Sequence, residues 1–246
     1  MSEHGADAGT ARTAELAGRL AAVQRRIGAA ASAAGRAADL PALIVVSKFH
    51  PAADVRRLAG LGIRDFGENK DQEASAKAAE LADLKLNWHF VGQLQSKKAK
   101  SVVKYARAVH SVDRLSLVDG LERAISAEQA RTGRGSLDCF IQVSLDAGAG
   151  AHRGGADPAE VPILADRLAA AEGLELAGVM AVAPLGATPE DAFERLAGIS
   201  AALVSRHPAA KAISAGMSQD LEAAIRFGAT HLRIGSDILG SRPDVR

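Results

Sequence analysis

Cysteine is nearly missing from this sequence, with Cys139 the single copy in 246 residues. One thiol excludes an intramolecular disulfide and any multi-cysteine metal site, and it fits a reducing compartment such as the cytoplasm. Cys139 itself, between Asp138 and Phe140, reads as a small core residue. Aromatic residues are scarce too, at 3% with single copies of Trp88 and Tyr105, too few for a surface that stacks successive bases of a single strand. Neither sign of charge is in excess. Thirty basic against 29 acidic side chains leave a formal net charge of +1, which argues against a nucleic-acid binder relying on phosphate neutralisation, a local basic patch aside. No apolar run approaches the ~18 residues of a membrane span. Met1 to Thr10 has neither the basic start nor the apolar stretch of a signal peptide. A cytoplasmic protein without membrane or nucleic-acid partners is expected.

Apolar residues, in contrast, are plentiful: 48% of the chain is hydrophobic and 24% charged, enough to bury a sizeable core filled by alanine and leucine. From Thr10 to Arg36, Leu16, Leu20, Val23 and Ile27 recur at helical spacing and predict an amphipathic N-terminal helix. Beyond it, short apolar runs alternate with Ala- and Leu-rich stretches. Strands are expected near Ala42 to Lys48, Arg64 to Asn69, Trp88 to Gly92, Ala108 to Val112, Cys139 to Leu145, Leu176 to Val182, Ala212 to Ala215 and His231 to Gly235. Helical stretches open at Pro51, Asp71, Ser96, Arg114, Pro158, Pro189 and Ser218, with Gly60, Gly133, Gly173 and Gly228 as stops. Eight such alternations in roughly 200 to 250 residues predict an α/β fold, a single (β/α)₈ barrel of the TIM type with an extra N-terminal helix. A doubly wound open sheet is the alternative. Residues 1–10 are assigned to a disordered tail and 11–246 to one domain; the glycine-rich stretch Asp146 to Asp157 reads as a longer loop after the fifth strand.

Active sites of such barrels sit on the loops at the C-terminal strand ends, so polar residues that terminate apolar runs are the candidates. Lys48 ends Ala-Leu-Ile-Val-Val-Ser-Lys. A lysine half withdrawn from water there can attack a carbonyl and form a Schiff base, although position alone equally describes one reaching out to solvent. Gly216-Met217-Ser218 follows the seventh strand and Gly235-Ser236 the eighth, the usual place of a phosphate cradle. Alternatively these glycines make tight turns and Ser218 caps its helix. Asn69 and His89, ending the second and third strands, offer polar edges to a ligand or are satisfied rim residues. Lys97, Lys100, Lys104 and Arg107, on one helical face beside Lys98, form a solvated or an anion-attracting surface. His110, His152 and His207 lack zinc-ligand spacing, and no metal is assigned.

Taken together, Val45-Val46-Ser47-Lys48, Phe66-Gly67-Glu68-Asn69 with Gln72-Glu73, His89-Phe90-Val91-Gly92-Gln93-Leu94-Gln95-Ser96, Gly178-Val179-Met180-Ala181, Gly216-Met217-Ser218 and Arg233-Ile234-Gly235 resemble the pyridoxal phosphate homeostasis protein family from about Leu40 to Gly240. The resemblance implies a single alanine-racemase-like barrel that carries pyridoxal 5′-phosphate (PLP) on a lysine, without an established reaction, and that helps balance cellular vitamin B6. It implies Lys48 as the Schiff-base lysine and Ser218, Gly235 and Ser236 around the phosphate, with Met217 and His89 among the cofactor contacts. Arg233 would face the pyridine nitrogen, with Asn69 beside the ring. The family's usual Tyr, Asn and Thr are here Lys70, Lys97 and Ser236, and the stretch with His152 and Arg153 replaces a Lys-Ser-Gly stretch.

Two classes of function compete, a non-catalytic PLP-binding protein and a single-domain PLP-dependent racemase or decarboxylase. A Schiff-base aldolase or sugar-phosphate enzyme is a weaker third. Against a racemase stand an end ten residues after Ser236, which leaves no room for a second domain, and Tyr105, placed before the fourth strand, at the wrong end to serve as the second base. Arg233, if it faces the pyridine nitrogen, would keep that nitrogen unprotonated and slow carbanion chemistry. A non-enzymatic monomer is expected, with apo forms of PLP-dependent enzymes as candidate partners.

Overall fold

Eight strands close into a barrel in chain order, each parallel to its neighbours. They are β1 (Ala42–Val46), β2 (Asp65–Glu68), β3 (Asn87–Phe90), β4 (Ala106–Val112), β5 (Leu137–Gln142), β6 (Leu174–Met180), β7 (Ala212–Ser214) and β8 (His231–Ile234). The computed structural model describes residues 3–146 and 154–241, with side chains from residue 9 onward. All eight expected strands are present, most of them shorter at the C-terminal end, so Lys48, Asn69, Gly92 and Gly235 belong to the loops that crown the barrel. The barrel closes where β1 meets β8, with Ala42 opposite His231 and Val45 opposite Ile234.

Strand alternation sorts the side chains into two cores. Val45, Phe66, Phe90, Val109, Ile141, Val179, Leu232 and Ile234 join the helix residues Leu58, Leu121, Leu164 and Leu203 in the outer core. Their strand neighbours Ala108, Phe140 and Met180 pack inside the barrel. Alanine and leucine fill the outer layer as expected, but the interior is furnished differently. His110 stacks on Phe140 with centroids 4.1 Å apart, and His231 stands edge-on to Phe140 at 5.3 Å, so rings plug the barrel below its mouth.

The helices are α1 (Glu3–Ala33), α2 (Ala52–Gly60), α3 (Asp71–Glu80), α4 (Ala99–Val102), α5 (Leu115–Thr132), α6 (Val161–Ala169), α7 (Pro189–Arg206), α8 (Leu221–Arg226) and α9 (Ser236–Leu239). Pro51 caps α2, Pro189 opens α7, and Gly133 stops α5 in the left-handed conformation. At Ser96 and Pro158 the chain first makes a 3-10 turn. Two expectations need correction. Lys97, Lys100, Lys104 and Arg107 share no helical face, because α4 ends at Val102 and Arg107 already lies in β4; Lys98 pairs with Asp71 and Arg107 with Asp138. Ser218 does not cap α8, which starts at Leu221 with Asp220 before it.

Helix α1 takes in part of the stretch assigned to a tail and buries Leu16, Leu20, Val23 and Ile27, the expected stripe. Each such burial stabilises by about 1.5–3 kcal/mol before ordering costs, which makes α1 part of the barrel domain. The helix packs on α2, α8 and α9. Polar ties reinforce the contact, among them Arg12 to Asp54 at 2.8 Å and Arg36 to the carbonyls of Ile225 and Ala229.

Candidate functional site

Barrel closure sets the ends of β7, β8 and β1 side by side at the mouth. After β7 the chain turns at Gly216, with φ of +92°, where a Cβ would sit 2.7 Å from Ala224 Cβ and 2.8 Å from Leu232 Cδ2; only glycine fits. The Met217 N–H then donates to Asp220 Oδ1 at 2.6 Å, and this turn replaces the helical start expected at Ser218. Ser218 Oγ comes within 3.3 Å of Ser236 Oγ, which follows Gly235 at the end of β8. Two hydroxyls from separate loops therefore converge, while the Met217 side chain stands exposed at the rim.

Arg26 of α1 was not recognisable from the sequence as part of this cradle. Its guanidinium donates to the Ser218 carbonyl at 3.0 Å, to Asp237 at 2.7 Å and to Glu222 at 2.9 Å, and so clasps both loops from behind.

Lys48 lies just past β1, half-buried, and its Nζ has no hydrogen-bond or ion-pair partner among the described residues. The other lysines near the mouth differ. Lys70 lies over the Phe49 ring and 3.7 Å from Glu73, and Lys97 is exposed. Beneath the Lys48 segment is a buried cluster. Lys77 Nζ donates to Glu68 Oε1 at 2.6 Å and to the Ser47 carbonyl at 2.8 Å, and Ser47 Oγ donates to the same Glu68 oxygen at 2.8 Å. Burial pushes the Glu68 carboxyl above the usual carboxylate range, with Lys77 and Ser47 pulling the other way. The only signal for this cluster was a glutamate closing an apolar strand.

Below the mouth the Arg233 guanidinium is enclosed. It donates to the Ser214 carbonyl and Oγ, both at 2.7 Å, and to the Ala181 carbonyl at 2.9 Å. Its Nε–H makes no hydrogen bond among the described residues. Burial lowers its pKa to about 10, so it remains a cation at neutral pH. Asn69 brings a buried Oδ1 that lacks a partner among the described residues. Its backbone comes so close to Gly92 that a Cβ there would sit 2.2 Å from the Asn69 carbonyl oxygen.

His89 is turned into the barrel rather than toward the mouth, with Nδ1 2.9 Å from His110 Nε2 and Nε2 3.0 Å from Asp65 Oδ1. Both ring nitrogens are taken, as in the satisfied-residue alternative. His152 and Arg153 lie outside the described residues.

A lysine just past β1, two hydroxyls converging at the ends of β7 and β8, and a buried arginine of β8 with an unused donor suit a barrel mouth to a phosphate ester that also carries an aldehyde. Residues 19–243 match the family described as alanine racemase, N-terminal domain. A pyridoxal phosphate homeostasis protein of Mycobacterium tuberculosis is 44% identical over 246 residues, covering 94% of each chain. PipY of Synechococcus elongatus, solved with PLP bound, is 35% identical with a TM-score of 0.76, over 92% of this chain and 100% of that one. Alanine racemase of Corynebacterium glutamicum shares the fold, at 16% identity and a TM-score of 0.64, over 95% of this chain and 63% of the racemase. The chain belongs to the pyridoxal phosphate homeostasis proteins of the alanine racemase N-terminal-domain family.

Proposed function

We propose that this protein binds PLP at the barrel mouth and serves vitamin B6 homeostasis without turning over a substrate. The observation that carries the reading is the unpaired Lys48 just past β1, the strand that pairs with β8, together with the Ser218–Ser236 hydroxyl pair at the ends of β7 and β8. The residues fit the cofactor. The orphaned Asn69 Oδ1 and the unused Arg233 Nε–H are polar groups that a planar, hydrogen-bonding ring would satisfy. Ser218, Gly235 and Ser236 would hold the phosphate, Lys48 the aldehyde carbon, Arg233 the pyridine nitrogen, and Asn69 the ring edge, with Met217 covering the rim. His89 supports from below rather than by a polar contact of its own. When bound, PLP supplies a reactive aldehyde and an electron-withdrawing ring.

Arg233 argues for a holder rather than a catalyst. A buried cation in that place disfavours a proton on the pyridine nitrogen, and an unprotonated ring stabilises a carbanion poorly. The Tyr105 hydroxyl is already committed, donating to Asp71 at the start of α3 at 3.3 Å. Burial, then the Asp71 carboxylate, pushes its phenol far above the usual range. Relatives named as homeostasis proteins rather than enzymes support the same reading. We further propose a cytoplasmic monomer whose recipients are apo forms of PLP-dependent enzymes. No helix among the described residues is long and apolar enough to cross a membrane.

The test is a spectrum of purified protein with PLP before and after borohydride, followed by peptide mass mapping. A visible-edge band and a pyridoxyl group on Lys48 are expected. An adduct on Lys70 or Lys97 with Lys48 unmodified refutes the assignment, and turnover of a common amino acid at about 1 s⁻¹ or faster refutes the non-catalytic role.

A further inference from the structure

The barrel interior holds an unbroken run of hydrogen bonds from its N-terminal face to the floor of the mouth. Asp65, at the start of β2, meets His89 Nε2 at 3.0 Å; His89 Nδ1 meets His110 Nε2 at 2.9 Å; His110 Nδ1 meets Ser214 Oγ at 2.9 Å; and Arg233 Nη1 donates to that same Oγ at 2.7 Å. Three of these links join neighbouring strands, β2 to β3, β3 to β4 and β7 to β8, and the His110–Ser214 bond crosses the barrel interior from β4 to β7.

Donor and acceptor bookkeeping fixes where each proton sits. The Asp65 carboxylate accepts only, so His89 carries a proton on Nε2, and a neutral His89 then presents Nδ1 as an acceptor. His110 must then donate from Nε2 and accept at Nδ1. Ser214 must give its hydroxyl proton to His110, which leaves its oxygen free to accept from Arg233. The other end is compatible with this order, because the guanidinium only donates and the Ser214 oxygen can accept from it while its hydroxyl proton goes to His110. Neither imidazole needs a second proton, and no member is left unsatisfied.

We propose that Asp65, His89, His110 and Ser214 form a one-directional hydrogen-bond chain that positions Arg233, setting its Nε–H toward the cofactor's ring nitrogen from a carboxylate on the opposite face of the barrel. Ser214, held by His110, presents its carbonyl and its hydroxyl to one edge of the guanidinium, and the Ala181 carbonyl fixes the other terminal nitrogen. The inference rests on PLP binding for its function, while the proton order is a property of the free protein. Electrostatics agree. His110 is wholly buried and held well below the usual imidazole range, first by burial, which keeps the ring neutral. Burial pushes the Asp65 carboxyl up, but the hydrogen bonds from His89 and from the Asn87 amide hold the group below the usual range.

The experiment is ¹⁵N correlation spectroscopy of the imidazole rings in PLP-free protein near neutral pH, paired with PLP titration of the wild type, Asp65→Ala and Asp65→Asn. His89 and His110 should both be neutral with the proton on Nε2. In Asp65→Ala, at a partly exposed site that tolerates truncation, the His89 and His110 protons should redistribute between nitrogens. PLP affinity should fall about two- to tenfold, the range for one lost hydrogen bond. Asp65→Asn, whose side-chain carbonyl can still accept from His89, should keep the wild-type proton order and most of the affinity. A proton on His110 Nδ1 in the wild type overturns the chain. So does an Asp65→Ala protein in which the proton order or the affinity stays as in the wild type. A wild type that shows the proton order but binds no PLP refutes the function proposed above and leaves the chain standing.

Discussion

Replacing Lys77 by methionine should test whether the buried ion pair under Lys48 holds the site together. Lys77 is 9% exposed and Glu68 is 1% exposed. Lys77 contributes the 2.6 Å contact to Glu68 Oε1 and the 2.8 Å bond to the Ser47 carbonyl, whereas Glu68 Oε2 already lacks a partner among the described residues. The variant would leave a carboxylate with only Ser47 Oγ to stabilise it and the Ser47 carbonyl with only the His50 N–H at 3.1 Å. Removing one partner of a buried pair costs about 3–5 kcal/mol, a large part of the 5–15 kcal/mol of a typical domain, on the order of which this barrel should lie. The pH dependence has a definite sign. Glu68 is held above its ordinary value by burial, while Lys77 opposes that shift; without Lys77 it rises further. A carboxyl raised in the folded state loses stability as pH climbs from the unfolded value toward the folded one. The cost of Lys77→Met should therefore be larger at pH 7 than at pH 5, and Glu68→Gln added to it should recover part of the loss. Urea denaturation of the three proteins at both pH values is the assay. A Lys77→Met protein within about 1 kcal/mol of wild type at pH 7, or a cost that grows toward pH 5, would refute the reasoning.

Arg26→Ala should weaken PLP binding by about 0.5–1.5 kcal/mol through loss of the clasp on both cradle loops, with unphosphorylated pyridoxal unaffected in parallel calorimetric titrations. Ser236→Ala should cost about 1–3 kcal/mol of PLP affinity; equal binding of PLP and pyridoxal by the wild type would show that no phosphate cradle exists there. Burial holds His231 at about 4 against an ordinary 6.5. Its contribution is thus intact above pH 6.5 and fades by up to about 3 kcal/mol as pH falls to about 4. His231→Gln should flatten that part of the stability profile in denaturant titrations.

The wall of the barrel was legible in the sequence because each strand is a short apolar run bounded by turn residues, and because Leu16, Leu20, Val23 and Ile27 announce one buried helix face. Gly216 and Gly235 marked the turns that bring Ser218 and Ser236 together for the same local reason. The Glu68–Lys77 pair and the His89–His110 contact were not legible, since their partners come from different elements and meet only when the barrel closes. Ser214 looked like an ordinary strand residue, and Arg26 like the polar face of an amphipathic helix. Local periodicity says which side of a strand faces inward; it does not say which inward residues face one another.

That distinction bears on Arg233. The guanidinium sits 6% exposed with hydrogen bonds to two carbonyls and a hydroxyl, yet it forms no ion pair with a carboxylate among the described residues. Hydrogen bonds engage both terminal nitrogens, but they offset only part of the desolvation of its charge. The hydrogen-bond chain through His110 and His89 does not help, because both rings are neutral and the nearest carboxylate on it, Asp65, is at the far end. The floor of the mouth is consequently a fixed positive charge awaiting electron density, with hydroxyls and a lysine above it. Such a floor would favour an anionic phosphate ester with a ring nitrogen that accepts rather than donates, an electronic state poorly suited to carbanion chemistry.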